Sequence, residues 1–335
     1  MVRGSGDAAS GAWPTDGRLT TANRWDHVLA RWGVDRAGHR VEPGLYALGS
    51  PGRAAPVFVT ANYTLSFDAL RSAVAGLDCY ILVLDTKGIN VWCAAGKGTF
   101  GTDELVWRIE RANLDDVVDH RTVIVPQLGA TGVSAREVER RSGFAVEYGP
   151  VRAEDLPAYL TAHDATPEMR RVWFGLVDRI LLVPVEFVHV IAPMLVTAGA
   201  LYFVGGWAAA WAAVAAFVAG TVLFPIALPW IPTPDFTTKG LILGAVVAAP
   251  FAIARAIGSG GSPWWGIGWG AVHVLAMAPV AAFLALLFTG STTFTSKSGV
   301  AREISRYTRP LAFLLGLAIA LAVLLAIAGA RGAAS

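Results

Sequence analysis

Beyond residue 190 the chain passes through long tracts that hold no Asp, Glu, Lys or Arg, and this constrains its folding more than any other feature. An uncharged apolar stretch of about 20 residues is long enough to cross the hydrocarbon core of a bilayer as a helix. Five predominantly apolar spans are expected, over 185–204, 207–228, 239–257, 266–288 and 310–330, making 185–335 a transmembrane domain. Charged residues make up only 16% of the chain, against roughly 25% in a soluble domain. Residues 1–171 carry most of them, so a soluble half is joined to a membrane half.

Charge at the span ends sets the expected orientation. Arg170, Arg171 and Arg179 precede the first span, and Lys297, Arg302, Arg306 and Arg309 separate the fourth from the fifth. Lys239 lies on the same side, Arg255 and Arg331 oppose it, and residues 205 and 206 are uncharged. Positive charge marks the inner face. The soluble half is thus expected in the cytoplasm, with the C-terminus outside a multi-pass protein of the cytoplasmic membrane. The opening MVRGSGDAASGAWPTDGR has no apolar segment of a secretory signal, which agrees. Residues 166–184 mix Glu168, Arg170, Arg171, Asp178 and Arg179 with Trp173, Phe174, Leu176 and Val177, as expected of an interfacial linker forming an amphipathic helix at the lipid surface before a span. Within the spans Glu186, His189 and His273 are the polar exceptions, beside Lys239 and Arg255 at the ends of the third, and are functional candidates on that ground. A net charge of +2, with no basic run interleaved with aromatics, gives no indication of nucleic-acid binding.

Residues 1–22, rich in Gly, Ala, Ser and Thr, are expected to be a disordered lead. A helix over 23–32 follows, with Trp25, Val28, Leu29 and Trp32 on the face expected to pack. Apolar strand patterns at 57–60, 80–84, 122–125 and 144–148 then alternate with helical patterns at 65–75, 103–111, 134–141 and 154–163. That alternation predicts an α/β doubly wound, Rossmann-like domain over 23–165. Its ligand groups belong on the loops after the strands' carboxyl ends: 60–64, 85–99, 126–131 and 149–152.

One of those loops reads KGINVWCAAGKGTFGT (87–102) and places Cys93 where such a sheet presents ligands. Gly88, Gly96, Gly98 and Gly101 crowd the segment, as where backbone approaches a ligand or turns with positive φ. A phosphate loop fails on spacing, because Val91 stands five before Gly96 and Gly98 follows Lys97. A thiol hydrolase would pair Cys93 with His120, the one histidine inside the expected strand and helix core. A transport or binding protein with a regulatory α/β domain is the remaining alternative. The chain has only two cysteines, Cys79 and Cys93, spaced as neither a zinc nor an iron-sulfur ligand set.

NVWCAAGK (90–97) closely resembles the motif of the mercury-methylating corrinoid (HgcA) family, whose soluble domain is similar to the corrinoid domain of the corrinoid iron-sulfur protein of acetyl-CoA synthesis. The resemblance extends through VFVTANYTLSFDALR (57–71), YILVLDTKGINVWCAAGKGTFGTDELV (80–106), VIVPQLGATGVSAREV (123–138) and YGPVRAEDL (148–156), and into the apolar half. It implies a corrinoid cofactor whose cobalt takes the Cys93 thiolate as lower ligand, from a short capping helix that begins near Asn90. No histidine here stands in the D-x-H-x-x-G motif of usual base-off corrinoid modules, so a different lower ligand is required. Asn90, Val91, Trp92, Ala94, Ala95, Gly96 and Lys97 are implied cofactor contacts, with Asn90 as N-cap and Lys97 at the helix end. Thr60, Asn62, Gln127, Gly129, Ala130 and Thr131 match family segments at strand ends; ordinary turn chemistry is the alternative for each. The implied reaction is methyl transfer to Hg(II), giving methylmercury. The implied partners are a ferredoxin-like protein with two [4Fe-4S] clusters as reductant and a methyl-donating corrinoid or pterin methyltransferase. A thiolate donates more strongly than imidazole, which suits delivery of methyl to a soft electrophile.

Overall fold

The computed structural model describes residues 11–35, 37–162, 164–258, 263–292 and 296–334. They fall into two compact units, Met1–Trp173 and Phe174–Ser335.

The first unit contains strands β1 (Trp13–Thr15), β2 (Gly44–Leu48), β3 (Val57–Ala61), β4 (Cys79–Leu84), β5 (Thr122–Val125) and β6 (Ala145–Tyr148). Its helices are α1 (Thr21–Arg31), α2 (Thr64–Ala73), α3 (Val91–Lys97), α4 (Thr102–Arg111), α5 (Leu114–Val117), α6 (Ala135–Ser142) and α7 (Leu156–Ala162). The strands form one sheet in the order β1-β2-β4-β3-β5-β6. The four strands from β4 to β6 are parallel, whereas β2 runs antiparallel to β4. The expected doubly wound α/β architecture is therefore present, extended by an edge pair that the strand pattern did not announce.

Period-two alternation explains why the central strands read as unbroken apolar runs. Val57, Val59 and Ala61 join Leu82, Leu84, Val123 and Val125 in the core under α3, α4 and α6. Their alternates Phe58, Ile81, Val83 and Ile124 join Phe67, Leu70, Leu156 and Tyr159 of α2 and α7 on the opposite face. Each such side chain, removed from water, is worth about 1.5–3 kcal/mol. The chain visits β3, then β4 beside it, then crosses back to β5, so the strand order reverses between β3 and β5. Ligand crevices in open α/β sheets lie at such a switch point.

Three expectations are corrected here. Within the expected lead, residues 1–10 lie outside the described residues, but the remainder is ordered. Trp13 packs edge-on to Tyr46 at 5.3 Å, and Thr20 forms a capping box with Asn23 at the start of α1. A three-residue strand with a proline carries too little periodicity to stand out. Helix α1 turns the other way from expectation: Asp26 and His27 face inward, while Trp25 and Trp32 face solvent. His163, the expected last residue of the 154–163 helix, lies outside the described residues.

The third correction concerns the linker over 166–184. Residues 167–175 form turns and non-helical backbone, and the helix starts at Leu176, where the Gly175 N–H donates to Asp178 at 2.9 Å.

The second unit contains α8 (Leu176–Val218), α9 (Phe224–Ala227), α10 (Phe236–Gly258), α11 (Pro263–Phe288) and α12 (Lys297–Ala334). Among the described residues, four helical segments are long and apolar enough to cross a membrane: Leu176–Trp230, Phe236–Gly258, Pro263–Ser291 and Ser298–Ala330. Five were expected; the first two, 185–204 and 207–228, both lie in the 55-residue segment. At 1.5 Å per residue that segment is about 80 Å of helix, well over twice the ~30 Å core. Gly206, with non-helical φ 71° and ψ −165°, stands at the expected boundary. The basic stretch at 297–309, expected as a loop, is the first part of α12.

Polar groups in this unit are satisfied internally, as a low-dielectric surround requires. Pro229 has no N–H to offer the Pro225 carbonyl, and Arg179, buried at 6% exposure, donates there at 2.9 Å and to the Ile226 carbonyl at 2.7 Å. Glu186 accepts from the Ser291 hydroxyl, and His273 donates to the Trp269 carbonyl one turn back at 2.8 Å. A further buried carboxylate, Glu303, takes the Thr237 N–H at 2.6 Å and hydroxyl at 2.8 Å at the start of α10.

Candidate functional site

Helix α3 is built to stand at the carboxyl edge of the sheet. Val91, Ala94 and Ala95, at helical spacing, are buried against β3 and β4 residues of the core, leaving Trp92 and Cys93 half-buried and Gly96 and Lys97 exposed. Asn90 caps the first turn by accepting the Cys93 N–H at 2.9 Å, and Gly98 ends the helix in the left-handed region at φ 84°. The loop after β5 comes within touching distance of this helix and requires glycine at 132. A Cβ on Gly132 would meet the Phe100 carbonyl oxygen at 2.2 Å and the Ala95 Cα at 3.0 Å.

The loop that leads into α3 is held by Asn62, 2% exposed, at the end of β3. Its Oδ1 accepts from the N–H groups of Thr86 and Gly88, both at 3.0 Å, while its Nδ2 lies 3.3 Å from Asp85. The Thr86 hydroxyl donates to the Ile89 carbonyl at 2.6 Å. Asp85 accepts from the Lys87 N–H at 3.0 Å and ammonium at 3.1 Å. Burial pushes the Asp85 carboxyl upward, but these bonds and the charges of Lys87 and Arg108 outweigh it and hold the group below the usual carboxylate range.

Beside α3 lies a cavity of about 410 Å³, lined from β3 by Phe58, Val59 and Thr60, from α3 by Asn90, Val91 and Trp92, and closed by Pro126, Pro150 and residues of α2. It opens at the switch point between β3 and β5, whose pairing is through Phe58 and Ile124. The lining is apolar, with Thr60, Tyr63, Ser66 and Asn90 contributing its polar side chains. A pocket of this size and character fits an organic ligand or one part of a larger one.

Of the residues singled out in the sequence, Thr60, Asn90, Val91 and Trp92 line this cavity, and Cys93 sits on the same helix. Asn62 is a holder of the loop instead of a lining residue. Gln127 is occupied by protein, accepting from Arg170 at 3.0 Å and donating its N–H to the Pro150 carbonyl at 3.3 Å. Gly129 packs tightly on Phe100, and Ala130 and Thr131 lie on the outer turn, Thr131 exposed. Sequence reasoning missed Tyr63, Ser66 and Pro150, which fall on or beside the strand-end loops it had marked.

The two cysteines differ sharply. Cys79 is fully buried in β4, where burial pushes its thiol up to about 12 and keeps it protonated. Cys93 is half-buried at the sheet edge, and neither forms a disulfide. His120 precedes β5, at the opposite end of the parallel strands from α3. Its Nε2 faces the Ala55 carbonyl at 2.9 Å and its Nδ1 lies 3.2 Å from the Thr122 N–H, so it is committed away from Cys93. A Cys93–His120 dyad has no geometric basis.

Together these features define a Rossmann-like domain with a cavity at its switch point and a thiol on a capped strand-end helix beside it. Residues 34–160 match the family of the CO dehydrogenase/acetyl-CoA synthase delta subunit. The chain is 34% identical over 127 residues to the acetyl-CoA decarbonylase/synthase complex subunit gamma of Methanopyrus kandleri, covering 37% of this chain and 27% of the relative. It is 32% identical over 123 residues to the subunit gamma of Archaeoglobus fulgidus, covering 36% and 26%. It is 29% identical over 129 residues to the corrinoid/iron-sulfur protein large subunit of Moorella thermoacetica, covering 38% and 28%. The chain thus spans about a quarter of the length of these relatives.

Proposed function

We propose that the α/β unit binds a corrinoid, that Cys93 is the lower ligand of its cobalt, and that the protein transfers a methyl group to Hg(II) to form methylmercury. The observation that carries this reading is the half-buried Cys93 thiol on a capped helix at the switch point, in a region similar to a relative named as a corrinoid/iron-sulfur protein subunit. The donor set fits. Thiolate is a soft donor suited to a transition metal, and the imidazoles of His27, His39 and His120 are engaged with Asp68, with Asp26 and Val34, and with Ala55.

A bound corrinoid supplies a methyl group that a soft electrophile can accept. The chain's own residues do the holding. Asn90 fixes the first turn of α3 and with it the Cys93 backbone; Val91, Ala94 and Ala95 anchor that helix to the core. Thr60, Tyr63 and Ser66 offer polar contacts, and Trp92 adds apolar lining. With Cys79 sealed in the core, no ligand set for an iron-sulfur cluster exists in the sequence, so electrons come from a partner, a ferredoxin-like protein with two [4Fe-4S] clusters. Methyl groups come from a corrinoid or pterin methyltransferase. The apolar helices keep the α/β unit at the cytoplasmic face of the membrane, with the C-terminus outside.

The test is methylmercury formation. Membranes holding the full chain, supplied with reductant, methyl donor and Hg(II), should yield methylmercury, and Cys93→Ala should lower the yield by at least an order of magnitude. Equal yields from both would overturn the assignment.

A further inference from the structure

Helix α1 is amphipathic in the opposite sense to its surroundings. Its inward face is polar: His27 bonds Asp68 at 2.7 Å, and Asp26 takes the Thr64 hydroxyl at 2.7 Å and His39 at 2.8 Å. Its outward face is apolar, with Trp25 at 62% exposure, Val28 at 40% and Trp32 at 44%, followed by Val34 at 49%. The spacing i, i+3, i+7 puts the first three on one stripe. Tryptophan is strongly buried on average, so two on one helix face, both open to solvent, mark an interaction surface.

The flanks of the stripe identify what it meets. Arg24 and Arg31 lie along one side, and among the described residues neither enters an ion pair; Arg18, just before the helix, is likewise unpaired and exposed. The helix's one acid, Asp26, is turned inward. Exposed tryptophan rimmed by unpaired arginine, on a convex helix face without a groove, is the pattern of a helix lying in a lipid headgroup layer. Three turns of helix fall well short of the roughly 800 Å² per partner of a stable protein interface. The four apolar helices of the same chain hold this unit close to a bilayer, and at that effective concentration a weak surface suffices.

We propose that the Trp25, Val28 and Trp32 face of α1 docks on the anionic surface of the membrane, with Arg24 and Arg31 against lipid phosphates. The proposal is independent of the cofactor reading, since none of these residues lines the cavity or touches α3. Docking by α1 gives the α/β unit a preferred attitude toward the bilayer in addition to its covalent tether.

The experiment places a benzoylphenylalanine photoprobe at Val28, and separately at Trp25, in the full chain, with exposed Arg136 on α6 as the control position. The protein is irradiated in nanodiscs of phosphatidylcholine and phosphatidylglycerol and in native membranes, and adducts are identified by mass. Lipid adducts at 28 and 25 several-fold above those at 136, reduced several-fold by R24S/R31S, are expected. Adducts to another protein in native membranes, adducts to residues 174–335 of the same chain, equal lipid adducts at all three positions, or no adducts would each overturn the proposal. Two probe positions guard against one that fails to fold, and cobalt retention by the probe-bearing chains reports separately on the cofactor reading.

Discussion

Asn90 Oδ1 accepts the backbone N–H of Cys93 at 2.9 Å, so the residue that starts helix α3 also fixes the residue proposed to reach the metal. Removing this cap should loosen the site without touching the thiol. Asn90→Ala is expected to cost about 1 kcal/mol of helix stability and to lower cobalt retention, with Asn90→Ser or Asn90→Asp restoring most of it. Urea unfolding together with cobalt content of the same samples checks both parts.

Asn62 is expected to matter more than its position outside the cavity suggests. Asn62→Ala strips a buried acceptor from the Thr86 and Gly88 N–H groups and should destabilise the α/β unit by roughly 2–3 kcal/mol. Amide exchange at Thr86 and Gly88 should accelerate in step, and Asn62→Asp should not rescue it, because a carboxylate there would face Asp85.

Stability of the α/β unit should depend on pH through His39. Burial lowers its affinity for a proton, but the Val34 carbonyl and the Asp26 carboxylate overcome this and raise it above its ordinary 6.5. A group raised in the folded state stabilises fully below its unfolded value, and that contribution is lost as pH rises through the folded value. Unfolding free energy, followed across pH 6 to 9 by amide exchange in α1, should therefore fall with rising pH, and His39→Asn should flatten the slope.

In the membrane unit, Arg179 holds the Pro225 carbonyl, which Pro229 leaves without its helical partner, together with the Ile226 carbonyl. Arg179→Ala is expected to destabilise that unit by roughly 3 kcal/mol or more, since the carbonyls have no water to turn to. Thermal unfolding in detergent should show the drop, and Arg179→Lys should recover only part of it, having a single ammonium in place of the fork.

The central strands were legible because residues 80–84 and 122–125 are buried on both faces and leave apolar runs that loops do not imitate. Their order of alternation with helices gave the doubly wound sheet, whereas the short capped helix around Cys93 came from the family resemblance, since periodicity alone gives only a loop over 85–99. The edge strands β1 and β2 were not legible, being short and only half covered. Trp25 and Trp32 were read as core because apolar spacing reports that a helix has two faces, not which face turns inward; the polar partners Asp68 and Thr64, some forty residues away, decided that. Asn62 was read as a ligand contact, since a short polar residue at a strand end serves a ligand or a neighbouring loop equally well in sequence. The Gly205-Gly206 pair signalled the boundary between the first two expected spans, and the non-helical backbone at Gly206 stands there as a kink within the segment Leu176–Trp230.

The most direct test of the central claim is the ultraviolet-visible spectrum and cobalt content of the full chain, reconstituted anaerobically with a corrinoid, for wild type against Cys93→Ala. The account predicts cobalt retained by the wild type, with a spectrum that changes when the thiol is removed. No retained cobalt in the wild type, or a spectrum identical in both, would contradict it.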